Sequence, residues 1–251
     1  VLIAPAPVEA GKVVTYQVVL AHAAASRAPA YDVVLTDVVP AALVNPVILG
    51  VAAAGLTPPS AEAAGALLRV PAAADGAFDL PQGAVVTLTF QAELAGSVSP
   101  GLLVTNTAVV TWTTLPGPEP FERGSGNGLL NGGGLNDYEV QSSAGLGIGG
   151  ANFSKHLAGT SAAHTAGANV VIGEVLTYTL AVTLPEGLAP GLVITDLLPA
   201  GLAYVPGSAA LDTAGFAGSV DAADPALAAP GGDGADVVFT FNSPVTVTAD
   251  G

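Results

Sequence analysis

The sequence predicts an all-β protein built from tandem β-sandwich repeats, and two observations support this fold class. Runs rich in Val, Thr, Tyr and Leu alternate with turn residues, and the 32 Gly and 20 Pro residues fall between the runs. Such short apolar runs, bounded by Gly, Pro, Asp and Asn, are typical of antiparallel strands. One motif also occurs twice, which indicates that a single structural unit is repeated.

The repeated motif has two parts in each copy. GKVVTYQVVL at Gly11–Leu20 precedes VVLTDVVPAAL at Val33–Leu43, and GEVLTYTLAV at Gly173–Val182 precedes VITDLLPAGLAYV at Val193–Val205. Tyr16 and Tyr178 are 162 residues apart, and Asp37 and Asp196 are 159 apart. We therefore expect two units, residues 1–148 and 149–251. Comparison of the copies predicts that the first strand of unit 1 lies largely ahead of Val1 and that unit 2 is incomplete at its C-terminal end.

The elements of the first copy follow in order from the apolar runs. Strands are predicted at Val13–Leu20, Tyr31–Val39, Ala84–Leu94 and Leu102–Thr114. The Gly/Asn-rich stretch at 115–140 is predicted to be a long loop or extended hairpin. Two Ala-rich stretches, Ala52–Ala64 and Ala222–Ala229, are candidates for a helical turn that nearby prolines keep short.

Composition excludes several classes of partner. Twenty acidic and five basic residues give a net charge of −15, which repels nucleic acid and anionic membranes and suits cation binding. The chain has no Cys, so it has neither disulfides nor thiolate metal sites. We find no nucleophile elbow, no phosphate-binding Gly-rich loop and no metal-ligand spacing of His, so the sequence does not predict an enzyme.

The second copy resembles a known family. The pattern of Gly173–Val182 followed by Val193–Ser208 is similar to DUF11-type and isopeptide-forming repeats of bacterial surface and fimbrial adhesin proteins. Phe121–Tyr138, FERGSGNGLLNGGGLNDY, also resembles a loop that precedes the next repeat in large members. The resemblance implies Ig-like β-sandwich repeats, an extracellular location at the bacterial cell surface, and neighbouring repeats or subunits as partners.

The resemblance also implies a chemistry. In related pilin domains a Lys on the first strand attacks an Asn on the last strand, assisted by a buried Asp or Glu, and an isopeptide bond forms. Strand alternation places Asp37, Asn106, Lys155 and Asp196 on the apolar faces of their strands, where unpaired polar groups are costly. The first copy thus holds an acid and an amide, and the second holds an amine and an acid.

Structural interpretations of these residues stand beside the chemical one. An inward Asp before a Leu-Pro turn is often an acceptor for backbone N–H groups, and Asn106 could be a buried amide with its partners satisfied. Lys155 could lie at a frayed strand start with its ammonium group in water.

A calcium site is the other candidate. The Gly/Asn-rich loop from Glu122 to Glu139 offers oxygen ligands between glycines, and calcium prefers six to eight such oxygens. Its spacing matches neither an EF-hand nor the nonapeptide β-roll repeat, and a plain Gly/Asn turn is the alternative. The candidate ligands are Glu122, Asn127, Asn131, Asn136, Asp137 and Glu139.

Together these observations predict a structural segment of an adhesin or fimbria-like filament. The alternative is a module that binds a host or surface glycan or protein through its loops. No membrane insertion is expected within this segment.

Overall fold

The computed structural model describes residues 1–125, 138–162 and 169–248. These residues form 18 strands and one 3-10 turn at Ala73–Asp75, so the all-β prediction is confirmed. The chain divides into two compact units, Val1–Ile148 and Gly149–Gly251. Within the described ranges, no helix is long and apolar enough to cross a membrane.

Unit 1 is a sandwich of two antiparallel sheets. One sheet has the order β1-β2-β8-β4, and the other has the order β10-β9-β3-β6-β5, with β7 also pairing with β3. The strands are β1 (Leu2–Ile3), β2 (Val13–Ala21), β3 (Ala30–Val38), β4 (Leu43–Ala54), β5 (Glu62–Ala64), β6 (Leu67–Val70), β7 (Phe78–Leu80), β8 (Val85–Leu94), β9 (Leu103–Thr113) and β10 (Glu139–Gly147).

The core of unit 1 follows from strand alternation. On the central strand β8, every second side chain from Val86 to Leu94 is buried, while the residues between them are half-exposed. Inward residues of both sheets belong to one apolar cluster, in which Phe90 stacks on Tyr16 with 5.2 Å between ring centroids. Burial of each large apolar side chain stabilises the fold by about 1.5–3 kcal/mol.

Unit 2 has smaller sheets. β11 pairs with β12, β13-β18-β15 form a second sheet, and β14-β17-β16 form a third. The strands are β11 (Asn152–Thr160), β12 (Leu176–Thr183), β13 (Gly187–Ala189), β14 (Val193–Asp196), β15 (Gly218–Ser219), β16 (Ala226–Ala228), β17 (Val237–Thr240) and β18 (Val245–Val247).

The register of unit 2 repeats that of unit 1. Asp37 of β3 lies opposite Leu68 of β6, and Asp196 of β14 lies opposite Val237 of β17. The third strand in each case is short, β5 in unit 1 and β16 in unit 2. The trio β14-β17-β16 therefore corresponds to β3-β6-β5.

Two sequence expectations about helical turns are wrong. Ala52–Ala64 contains the end of β4 and all of β5, and Ala222–Ala229 contains β16. Both stretches are extended because neighbouring strands pair with them, as Glu62 does with Arg69 and Leu227 does with Phe239. Tertiary pairing thus overrides the helix propensity of Ala. Near the start of unit 1, Leu2 and Ile3 form β1, which pairs with β2.

Candidate functional site

A buried acid–amide pair joins β3 to β9. Asp37 is 1% exposed and Asn106 is 4% exposed. The Nδ2 atom of Asn106 donates a hydrogen bond of 2.7 Å to Oδ2 of Asp37. Both residues face the core because they share strand faces with buried Leu35 and Val104. The structure thus brings together two of the four polar residues that the sequence placed on apolar faces.

The environment of Asp37 changes its acidity. Burial raises the pKa of its carboxyl group from 3.8 to about 6, although the hydrogen bond from Asn106 acts in the opposite direction. Desolvation dominates because a carboxylate loses far more hydration energy than one neutral donor restores. Asp37 can therefore both hold and release a proton close to neutral pH, as a general acid–base group requires.

Three polar atoms around this pair have no hydrogen-bond partner in the described part of the chain. They are Oδ1 of Asp37, Oδ1 of Asn106 and the hydroxyl of Tyr16. The pKa of Tyr16 is raised by burial and by the negative charge of Asp37. Buried polar atoms without partners are uncommon in native proteins and call for a specific explanation. An amine delivered to this position would provide the donors that Asp37 and Asn106 lack.

A groove reaches Asn106, the amide of this pair. It has a volume of about 250 Å³, and its lining includes Val1, Tyr16, Val18, Asn106 and Ser143. These residues come from the N-terminal end, β2, β9 and β10, so the groove lies between the first and last strands of unit 1. An aliphatic side chain that enters along this groove would reach the amide of Asn106.

Unit 2 holds the amine. Nζ of Lys155, on β11, lies 2.5 Å from Oδ1 of Asp196, on β14. It also lies 4.4 Å from the ring centroid of Tyr178, in a cation–π contact. The Lys155 and Asp196 side chains are 29% and 12% exposed, so this pair is more open to solvent than Asp37 and Asn106.

The pairing register of the first strand relates the Asp37–Asn106 pair of unit 1 to the Lys155–Asp196 pair of unit 2. Leu157 lies opposite Tyr178 and Lys155 lies opposite Leu180. In unit 1, Leu2 lies opposite Tyr16, and Val1 exchanges backbone hydrogen bonds with Gln17. In this register Lys155 corresponds to a position opposite Val18, which lines the groove. Unit 1 thus holds an acid and an amide together, and unit 2 holds an amine and an acid together.

The tyrosine of this site was not recognised as a functional residue from the sequence. Tyr16 lies in the first copy of the motif, and Tyr178 lies at the equivalent position of the second. Alternation places Tyr16 on the inward face with Val14. The signal in the sequence is that a residue with a hydroxyl group recurs on an apolar strand face in both copies. In unit 2 this ring contacts the amine.

The candidate calcium ligands are only partly described. Asn127, Asn131, Asn136 and Asp137 lie outside the described residues. Glu122 and Glu139 are half-buried, and each has a buried Oε1 atom without a hydrogen-bond partner. Among the residues that the structure describes, no group of three or more acidic or His side chains is arranged to hold a metal. The calcium site stays a prediction.

Comparisons with known proteins found no matching family model and no matching curated protein. Three solved structures are similar. The Actinomyces fimbrial adhesin FimA shares 14% identity over 60% of this chain and 54% of its own, with a TM-score of 0.35. The Corynebacterium diphtheriae major pilin SpaA shares 14% identity over 64% of this chain and 38% of its own, with a TM-score of 0.30.

The third similar structure is the T6 backbone pilin of Streptococcus pyogenes serotype M6. It shares 10% identity over 96% of this chain and 60% of its own, with a TM-score of 0.35. The chain thus spans less than two thirds of the length of each of these structures. All three are pilus or fimbrial proteins.

Proposed function

We propose that this chain is a structural segment of an extracellular bacterial surface protein or fimbria-like filament, whose complete repeats are closed by a Lys–Asn isopeptide bond. The observation that carries the proposal is the buried Asp37–Asn106 pair, whose remaining oxygen atoms have no partner. The Lys155–Asp196 contact supports it, because it supplies the amine at the equivalent position of the second unit.

The geometry suits amide exchange. A neutral Lys amine attacks Cγ of Asn106, a new C–N bond forms, and the bond from Cγ to Nδ2 breaks. The proton released by the amine passes through Asp37 to Nδ2, which leaves as ammonia. Asp37 is placed for this transfer because its Oδ2 atom already accepts a hydrogen bond from Nδ2. The buried site favours the neutral amine and the protonated acid, since both charged forms lose hydration there.

The position of the bond explains its mechanical value. β1 belongs to one sheet of unit 1 and β9 belongs to the other. β1 is held by only two strand residues, Leu2 and Ile3, paired with β2. A covalent bond to Asn106 from a Lys at the position equivalent to Lys155 would tie the two sheets together, so that tension on the first strand would load β9 as well. Neighbouring repeats or subunits are the partners expected of such a segment.

The test is an extended chain that carries Lys directly ahead of Val1. We expect its intact mass to be lower than the sequence mass by one ammonia. A matched chain with Arg at the same position should keep its full mass, because a guanidinium group is not a nucleophile at neutral pH. Asp37→Ala in the Lys chain should also restore the full mass. An unmodified Lys chain with native β structure would contradict the proposal.

A further inference from the structure

The edge strand β4 of unit 1 is protected over only half of its length. Within the described residues it pairs only with β8, and the strands before and after it in sequence, β3 and β5, belong to the other sheet. In its first half, Pro46 and two register shifts interrupt the ladder, and such devices keep an edge strand from binding another strand. Its second half, Gly50–Ala54, pairs with β8 residue by residue. We call Gly50–Ala54 the open half of β4.

The free backbone groups of the open half belong to Val51 and Ala53. The N–H of Leu94, on β8, donates a hydrogen bond to the carbonyl of Lys12, next to β2. Because every second residue of an antiparallel strand bonds toward the same neighbour, the even-numbered residues of β8 bond toward β2 and the odd-numbered ones bond toward β4. The β4 residues opposite those odd-numbered residues are Gly50, Ala52 and Ala54. Val51 and Ala53 therefore point their N–H and C=O groups away from β8, where another strand can bind them.

The surroundings of the open half carry no charge. No Asp, Glu, Lys, Arg or His occurs between Asp37 and Glu62, although the whole chain has a net charge of −15. On β8, Glu93 lies at the other end of the ladder, opposite Val44. The β8 residues that face Gly50, Ala52 and Ala54 are Thr89, Thr87 and Val85. Since like charges brought together oppose association, this is a place where two copies of an acidic chain can meet.

We propose that the open half of β4 is a homodimerisation site, at which β4 of a second copy of this chain pairs antiparallel. Such a contact is symmetric, because the same residues of both copies meet across a two-fold axis. With Ala52 on that axis, Val51 of each copy exchanges hydrogen bonds with Ala53 of the other. This register uses the free groups of both strands and joins the two sheets into one.

A second copy fits this edge because the register places only small side chains against each other on the outer face. Ala52 faces its own counterpart, and Gly50 faces Ala54, so neither steric clash nor like charge opposes the contact. Only two pairs of residues exchange hydrogen bonds, so the dimer is expected at high concentration. The association needs no isopeptide bond and goes beyond the proposed function.

The experiment measures self-association of the 251-residue chain by sedimentation equilibrium at concentrations up to about 1 mM. Ala52→Glu brings two carboxylates together at the axis, and Ala52→Lys brings two ammonium groups together there. Ala21→Glu is the matched control, since Ala21 is exposed on the outer face of β2, two strands away from this edge. Ala52 is also exposed, so each variant should keep the fold, which circular dichroism checks.

We expect the wild type and Ala21→Glu to dimerise alike, with slowed hydrogen exchange at the amides of Val51 and Ala53. Ala52→Glu and Ala52→Lys alone should each weaken dimerisation at least about tenfold. An equimolar mixture of these two variants should dimerise again, because opposite charges then face each other across the strands.

A monomer at every concentration would overturn the proposal and leave the edge to a strand of another protein. The proposal is also overturned if Ala52→Glu dimerises like the wild type, if Ala21→Glu weakens dimerisation equally, or if the mixture of Glu and Lys variants stays monomeric. Dimerisation without protection of Val51 and Ala53 would assign the contact to another surface and would overturn it too. Each outcome is independent of the mass test of the isopeptide bond.

Discussion

Replacing Asp37 with Asn should remove a specific pH dependence from the stability of unit 1. The folded-state pKa of Asp37 is about 6, and its ordinary value is 3.8. Between these values the folded protein binds a proton that the unfolded chain does not, so stability falls as the pH rises through this window. The two pKa values differ by about 2, and a difference of one in pKa corresponds to about 1.4 kcal/mol. The free energy of unfolding should therefore fall by about 3 kcal/mol across the whole window.

Trp112 provides the assay. It is the single Trp of the chain, it packs against the core of unit 1, and it meets the ring of Tyr138 edge-on at 5.9 Å. Urea unfolding followed by its fluorescence therefore reports on unit 1. The free energy of unfolding of Asp37→Asn minus that of the wild type should rise by about 3 kcal/mol from about pH 3 to about pH 8. Parallel pH profiles for the two proteins would refute the assignment of a raised pKa to Asp37.

Three further predictions concern neighbouring groups. Tyr16→Phe removes a buried hydroxyl without a hydrogen-bond partner and keeps the stack on Phe90, so the melting temperature of unit 1 should stay the same or rise; a clear fall would mean that the hydroxyl is paired. Lys155→Gln removes a half-exposed ion pair and should destabilise unit 2 by no more than about 1 kcal/mol in urea; a cost of several kcal/mol would show a desolvated pair. If Glu122 and Glu139 belong to a calcium site, chelation should lower the melting temperature and increase proteolysis between them; identical melting curves with calcium and with chelator would exclude the site.

Strand alternation is the reason that much of the site could be predicted. Asp37 and Asn106 lie 69 residues apart, yet each lies among apolar residues at a period of two, which places both in the core. The same rule predicted inward faces for Lys155 and Asp196; these residues form an ion pair, but Lys155 and its face neighbour Phe153 are exposed. Side-chain periodicity is a local property, so a single sequence is sufficient to read it.

Pairing and packing could not be predicted in the same way. The strands at the end of β4 and at β16 lie in Ala-rich stretches, where local propensity favours a helical turn and only the neighbouring strands decide otherwise. The groove beside Asn106 arises from elements far apart in the chain. The raised pKa of Asp37 depends on complete burial by two sheets. Such features are set by tertiary contacts, which composition and spacing do not report.

Peptide mapping of the Lys-extended chain tests the central claim most directly. After proteolysis, mass spectrometry should find a branched peptide in which the Lys ahead of Val1 is joined to Asn106, with the loss of one ammonia. The branch should be absent from the Asp37→Ala form of the same chain. A linear peptide with unmodified Asn106 in the folded wild-type extension would contradict the account, and so would a branch at any other residue.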